Sequence, residues 1–108
     1  MKTASLLAAA AMLAFSMTAG AAVDADAATK AMKDNGCTKC HSIDKTKKGP
    51  AFKKVAADMK GKADAESKLT TFLTTGPKVK MDDGTEEEHK ALKDPVTVKN
   101  LVQFILAQ

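Results

Sequence analysis

The stretch CTKCH, residues 37–41, contains the only two cysteines of the 108-residue chain. His41 directly follows the second cysteine and is one of only two histidines. Two thiols separated by two residues and followed by an imidazole form a chemical site rather than a packing pattern. We therefore expect the rest of the chain to fold around whatever these three side chains hold.

The spacing Cys-x-x-Cys-His is the attachment signature for c-type haem. Each thiol adds to one vinyl group of the porphyrin and forms a thioether. The adjacent His41 then lies against the iron as its proximal axial ligand. The sequence thus predicts one covalent haem c, bound through Cys37 and Cys40.

Three other sites use the same residue types. A redox disulfide of the thioredoxin kind belongs beside a βαβ unit, which the sequence does not indicate. A zinc ion could take Cys37, Cys40, His41 and His89, although two adjacent residues cannot easily both reach one tetrahedral ion. A structural disulfide beside a chance histidine would close only a tiny loop and stabilise little.

The N-terminal segment reads as an export signal. Lys2 precedes the apolar run LLAAAAMLAF, residues 6–15, and the triplet Ala19-Gly20-Ala21 suits signal-peptide cleavage. The run is shorter than the roughly 20 residues of a membrane span, so an uncleaved anchor is the weaker alternative. We predict a signal peptide at residues 1–21, a domain at residues 22–108, a periplasmic location and no stable membrane insertion after cleavage.

The composition limits the possible partners and indicates that a cofactor completes the hydrophobic core. The net charge is +4, and every basic residue is lysine. The absence of arginine argues against nucleic acid as a partner, because phosphate recognition favours the arginine fork. Residues 22–108 contain only three aromatic residues, Phe52, Phe72 and Phe104. A domain of this size has marginal stability unless a disulfide, a metal or a cofactor stabilises it. A haem would supply the large apolar group that the core of this domain otherwise lacks.

Helical periodicity dominates on both sides of CTKCH. A first helix follows Asp24 or Asp26 and ends at Asn35-Gly36, and a last helix begins at Asp94-Pro95. Two more lie between them, one in AFKKVAADMKG, residues 51–61, and one ending at Gly76. The turn DDGT, residues 82–85, predicts a short hairpin from Val79 to His89, with a short helix capped by Thr85 as the alternative.

The chain resembles the small bacterial class I cytochromes c from the first helix to Gln108. The resemblance rests on CTKCH, on KKGPAFKKVAADMKG (residues 47–61) and on LVQFILAQ (residues 101–108). It implies an all-α cytochrome c fold, with about four helices around one covalent haem and a possible hairpin in the distal loop. It also implies that the Pro50 carbonyl accepts the ring N–H of His41, which fixes the tautomer.

The sixth iron ligand is open between two residues. His89 is our first choice because it lies five residues before Asp94, near the position where the family places its ligand. Met81 is the alternative because a methionine thioether is the usual residue type. It lies farther from the last helix, beside a charged turn, and the family's methionine-proline pattern is absent here.

These features predict a monohaem electron carrier rather than an enzyme, and a monomer. Its partners would be redox proteins with acidic docking surfaces that face six lysines near the haem motif, Lys39, Lys45, Lys47, Lys48, Lys53 and Lys54. Five acidic residues, Asp82, Asp83, Glu86, Glu87 and Glu88, would make the distal loop negative and the molecule dipolar. The alternative is a binder of NO, CO or O₂, or a redox-linked switch, with a detachable distal ligand.

Overall fold

The computed structural model describes residues 22–108 as a mostly helical domain. The four helices are α1 (Ala25–Asp34), α2 (Phe52–Met59), α3 (Ala65–Thr75) and α4 (Pro95–Leu106). One turn of 3₁₀ helix spans Cys37–Lys39, and two short strands, β1 (Lys78–Lys80) and β2 (Glu86–Glu88), complete the fold. The all-α prediction with a short hairpin is confirmed. The predicted signal peptide lies outside the described residues.

Helix α1 leads directly into the cysteine motif. Of the two possible N-caps, Asp24 is used: its carboxylate accepts the backbone N–H of Ala27 at 2.9 Å. The helix ends at Asp34 with Asn35 as its C-cap, and Gly36 takes a left-handed conformation with φ 70°. Only glycine adopts this conformation readily, so the chain turns at once into the 3₁₀ turn that begins at Cys37.

The segment between α3 and α4 is the predicted hairpin, not a helix. Strands β1 and β2 pair antiparallel, with Lys78 opposite Glu88 and Lys80 opposite Glu86. These two pairs set opposite charges across the ladder, which favours this register. Gly84, with φ 86°, makes the turn possible.

Helix α4 forms the centre of the domain. Asp94 caps it by accepting the backbone N–H groups of residues 96 and 97, and Pro95 occupies its first turn. Its apolar face is buried, with Leu101 2% and Val102 1% exposed. Helices α1, α2 and α3 all pack on α4, and within residues 22–108 no two of these three share a contact of comparable size.

A polar clasp joins the beginning of α1 to α4. The Asn100 side chain accepts the backbone N–H of Asp24 at 2.9 Å and donates to the carbonyl of the same residue at 2.8 Å. Both polar groups of one amide are therefore satisfied by one backbone position. In the described part of the chain, no helix has the length and apolar character needed to cross a membrane.

Candidate haem site

The cysteine motif folds as a single tight turn. The backbone N–H groups of Cys40 and His41 both donate to the carbonyl of Cys37, at 3.1 and 2.9 Å. Both thiols are half-buried and are not joined as a disulfide. Burial raises the pKa of the Cys37 thiol. The turn brings two thiols and an imidazole to one place, as the attachment signature requires.

The imidazole of His41 is oriented by a backbone carbonyl. Its Nδ1 lies 2.8 Å from the carbonyl oxygen of Pro50. Because a carbonyl can only accept, Nδ1 is the protonated nitrogen, and Nε2 keeps its lone pair free. Phe52 stacks on this ring, with centroids 5.0 Å apart and planes 19° apart. The loop thus presents one nitrogen of His41 in a fixed direction.

Gly49 lies directly against the same ring. A β-carbon at this position would be 2.4 Å from Cε1 of His41 and 2.8 and 2.9 Å from the two ring nitrogens. These similar distances place the missing side chain over the face of the imidazole. The Gly49 N–H donates to the carbonyl of Cys40 at 2.7 Å, which holds the loop in this position. Glycine is required here by close approach, since its φ lies outside the left-handed region.

His89 begins the strip of chain that follows the hairpin. Its backbone N–H donates to the carbonyl of Pro77 at 2.9 Å, which continues the register of the two strands. Its Nδ1 lies 3.0 Å from the carbonyl oxygen of Lys90, so here too Nε2 is the nitrogen left free. The edge of Phe72 meets this ring, with centroids 4.8 Å apart and planes 69° apart.

The structure brings the two histidines near each other and places Met81 at the turn end of the hairpin. The ring centroids of His41 and His89 are 6.1 Å apart, with planes at 57°. Met81 lies at the other end of the hairpin, where its N–H donates to the carbonyl of Thr85 at 2.7 Å. Four residues of strand, about 13 Å, separate this pair from the pair formed by Pro77 and His89.

Part of the basic cluster lies beside the acidic hairpin. Lys47 and Lys48 line one cleft, together with Asp82, Asp83 and Glu87 of the hairpin. The pKa of Asp83 is lowered, mainly by hydrogen bonds from Thr85 and further by the charge of Lys48. Two of the six lysines thus lie beside the acidic hairpin.

Four residues that shape the site were not assigned to it from sequence. Phe52 and Phe72 each contact one of the two histidines. Gly49 contacts His41, and a β-carbon on Gly76 would lie 2.6 Å from the carbonyl oxygen of His89. Phe52 and Phe72 could have been assigned to the site from their scarcity, because only three phenylalanines lie in residues 22–108. The glycines carry no comparable signal in one sequence.

The described residues fit a covalent haem better than the other sites considered. No group of three or more histidine, cysteine or acidic side chains in residues 22–108 is arranged to hold a metal ion, which rules against the zinc alternative. The sole sheet there is an antiparallel hairpin, so the βαβ unit of a thioredoxin-type site is missing. Two free thiols, an imidazole with a free Nε2 and half-buried apolar side chains, including Ile43 and Leu69, are what a haem needs.

Comparison with known proteins gives one family. The family model described as cytochrome c matches residues 25–107. Cytochrome c-551 of Pseudomonas aeruginosa is 46% identical over 44 residues, which are 41% of this chain and 42% of that protein. Cytochrome c-551 of Allochromatium vinosum is 43% identical over 42 residues, 39% of this chain and 45% of that protein. These matches span less than half the length of either relative.

Solved structures match over a longer stretch. The class 1 cytochrome MtoD from Sideroxydans lithotrophicus ES-1 superposes with a TM-score of 0.77 at 52% identity, covering 80% of this chain and 97% of that one. Wild-type cytochrome c552 of Nitrosomonas europaea superposes with a TM-score of 0.59 at 28% identity, covering 77% of this chain and 96% of that one. Both likenesses extend well beyond the cysteine motif.

Proposed function

Because the chain belongs to the cytochrome c family and carries one covalently attached haem c, we propose that it transfers single electrons between redox partner proteins in the periplasm. The observation that carries the proposal is the geometry at His41. Its ring follows the two thiols directly, is fixed through Nδ1 by the Pro50 carbonyl, and presents a free Nε2. A fixed axial imidazole suits a centre that changes charge without rearranging.

The described residues serve attachment and orientation. Cys37 and Cys40 hold the haem through thioethers, and His41 is the proximal ligand, supported by Pro50 and Phe52. The haem supplies a one-electron couple when bound. No polar or charged side chain is buried among residues 22–108. This apolar interior provides a low dielectric that tunes the reduction potential and limits the access of water.

We assign docking on an acidic partner to the lysines that lie away from the acidic hairpin and outside ion pairs. Lys47 and Lys48 face the acidic hairpin, and Lys54 pairs with Asp58 at 2.8 Å. Of the six lysines near the motif, Lys39, Lys45 and Lys53 are exposed and have no such ion pair within the described chain. We propose that these three steer the encounter, with the protein acting as a monomer exported by its N-terminal segment.

Redox titration of the purified protein tests the carrier function. The pyridine haemochrome should show one haem c per chain, and the titration should follow a one-electron Nernst curve. Addition of CO to the ferrous protein should leave its spectrum unchanged. A spectrum that shifts on addition of CO would overturn the carrier in favour of a ligand binder with a detachable distal ligand.

Matched lysine variants test the docking surface. Lys53→Gln should lower the rate of reduction by an acidic redox partner at low salt and reduce its dependence on ionic strength. Lys99→Gln, on the exposed face of α4, removes the same charge away from the motif and is the control. Equal effects of the two variants would show that only net charge matters.

A further inference from the structure

His89 occupies a position that the backbone fixes from two sides. Its N–H donates to the carbonyl of Pro77, and Leu92 donates to the carbonyl of Leu73 at 2.7 Å. This strip of chain is thus fastened to the end of α3 both at His89 and three residues later. Gly76 has φ 58° and lies under the strip, where a β-carbon would meet the His89 carbonyl oxygen at 2.6 Å. The ring of His89 therefore projects from an anchored segment rather than from a free loop.

The two imidazoles lie near each other, with their ring planes tilted by 57°. Each ring makes its aromatic contact with a phenylalanine, His41 with Phe52 at 5.0 Å and His89 with Phe72 at 4.8 Å. The two imidazoles stand farther apart, with centroids at 6.1 Å. Both use Nδ1 to donate to a backbone carbonyl, so both keep the lone pair of Nε2 free.

This separation is the one that two axial ligands of a single metal ion require. Imidazole nitrogens bonded in line to one ion at about 2.0 Å each, with each ring centre about 1.2 Å behind its nitrogen, put the ring centres about 6.4 Å apart. The observed 6.1 Å lies close to that value. Backbone hydrogen bonds at both Nδ1 atoms are also the usual means of orienting ligand histidines.

Met81 lies at the opposite end of the hairpin from His89. It pairs with Thr85 at the turn end of the hairpin, whereas His89 pairs with Pro77 at the open end. The strand rise places these two levels about 13 Å apart, more than a methionine side chain can span without breaking the ladder. Met81 is half-buried and lines the cleft that also contains Lys47 and Lys48.

We propose that His89 is the distal axial ligand, so that the haem centre is bis-histidine and not the histidine–methionine pair usual in electron-transfer cytochromes c. Phe72 acts as a positioning residue that holds the plane of the His89 ring. Two imidazoles favour ferric iron, so the reduction potential lies below that of a comparable protein with a methionine ligand. This inference rests on the proposed function only in requiring the haem.

Near-infrared magnetic circular dichroism of the ferric holoprotein tests the ligand pair without mutation. The charge-transfer band should fall at the energy of two nitrogen ligands. A band at the lower energy of a nitrogen–thioether pair would overturn the proposal. The pyridine haemochrome of the same sample separates the two failures, because a sample without haem c refutes the proposed function, while one with haem c and a thioether band refutes only the ligand assignment.

Variants locate the ligand in the chain. His89→Ala should lose the low-spin ferric spectrum and should bind CO when reduced, and added imidazole should restore the low-spin form. His89→Met should raise the reduction potential. The control, Met81→Leu, preserves the apolar volume and should leave both spectrum and potential unchanged. Loss of the low-spin signal in Met81→Leu, with His89→Ala unaffected, would assign the ligand to Met81 instead.

Discussion

Replacing Gly49 by alanine should disturb the proximal histidine through one added methyl group. The new β-carbon would lie 2.4 Å from Cε1 of His41, whereas ordinary contacts lie at 3.4–4 Å. One of the two groups must therefore move by about 1 Å, and a gap of that size forfeits up to about half of the attraction between packed atoms. The ring is held by Pro50 and stacked on Phe52, so it cannot move without losing those contacts.

The cost follows from the packing. Forcing a methyl group into a filled space typically costs about 1–3 kcal/mol. In a domain of this size each kcal/mol lowers the melting temperature by roughly 4–8 °C. Thermal unfolding of the ferric holoprotein, followed by far-ultraviolet circular dichroism, measures this loss. The visible and near-infrared spectra of the same sample should also shift, because the orientation of His41 changes.

Gly61 provides the matched control. It has φ 78°, but a β-carbon there would meet nothing within 4 Å. Gly61→Ala therefore isolates backbone strain, about 1 kcal/mol, and should leave the haem spectrum unchanged. An unaltered melting temperature and spectrum in Gly49→Ala would refute the close-approach argument. Equal spectral shifts in both variants would refute it too.

Three further variants test the frame around the site. Leu101→Ala, in the buried face of α4, should lower the free energy of unfolding in urea by about 2–5 kcal/mol; a loss below 1 kcal/mol would mean that α4 is not the centre of the core. Asn100→Ala removes both hydrogen bonds to the Asp24 backbone and should cost about 1–3 kcal/mol in the same assay. The Thr97 hydroxyl lowers the pKa of Asp94, so the Asp94 carboxylate stabilises the fold above its unfolded pKa of about 3.9 and loses this effect as pH falls through the lower folded pKa. Thr97→Val should therefore melt below wild type at neutral pH and converge with it in acid, and a gap independent of pH would contradict this cause.

A substitution at an exposed position of the same helix provides the control for Leu101→Ala. Val96 lies one residue into α4 and is 75% exposed, so Val96→Ala should change the free energy of unfolding by less than about 0.5 kcal/mol. If it cost as much as Leu101→Ala, burial would not explain the loss of stability at Leu101.

Local chemistry predicted the helix ends because it acts over three or four residues. Asp24, Gly36, Gly76 and the pair Asp94-Pro95 all stand where the sequence placed caps or stops. The hairpin was ambiguous, because a turn signal and a capping signal overlap in residues 82–88. Cross-strand pairing of lysines with glutamates favours the strands, and the sequence alone gives no means of weighing that pairing against a cap.

Only the part of the site that is contiguous in sequence, residues 37–41, could be predicted from the sequence. CTKCH fixes the attachment chemistry within five residues, so the sequence alone indicates a haem. The relation between His41 and His89 depends on how the hairpin docks against the end of α3, which no local pattern encodes. The glycines beside the two rings were read as turn residues, and their role in close approach emerged only from three-dimensional distances.

The arrangement of every helix around α4 has a consequence for biogenesis. The segments synthesised before Pro95 have their main partner in a helix that is completed only at Leu106. Until α4 has formed, the other three helices therefore have almost nothing to pack on. We therefore expect an exported chain to keep both thiols accessible for haem attachment until the last helix packs against the other three.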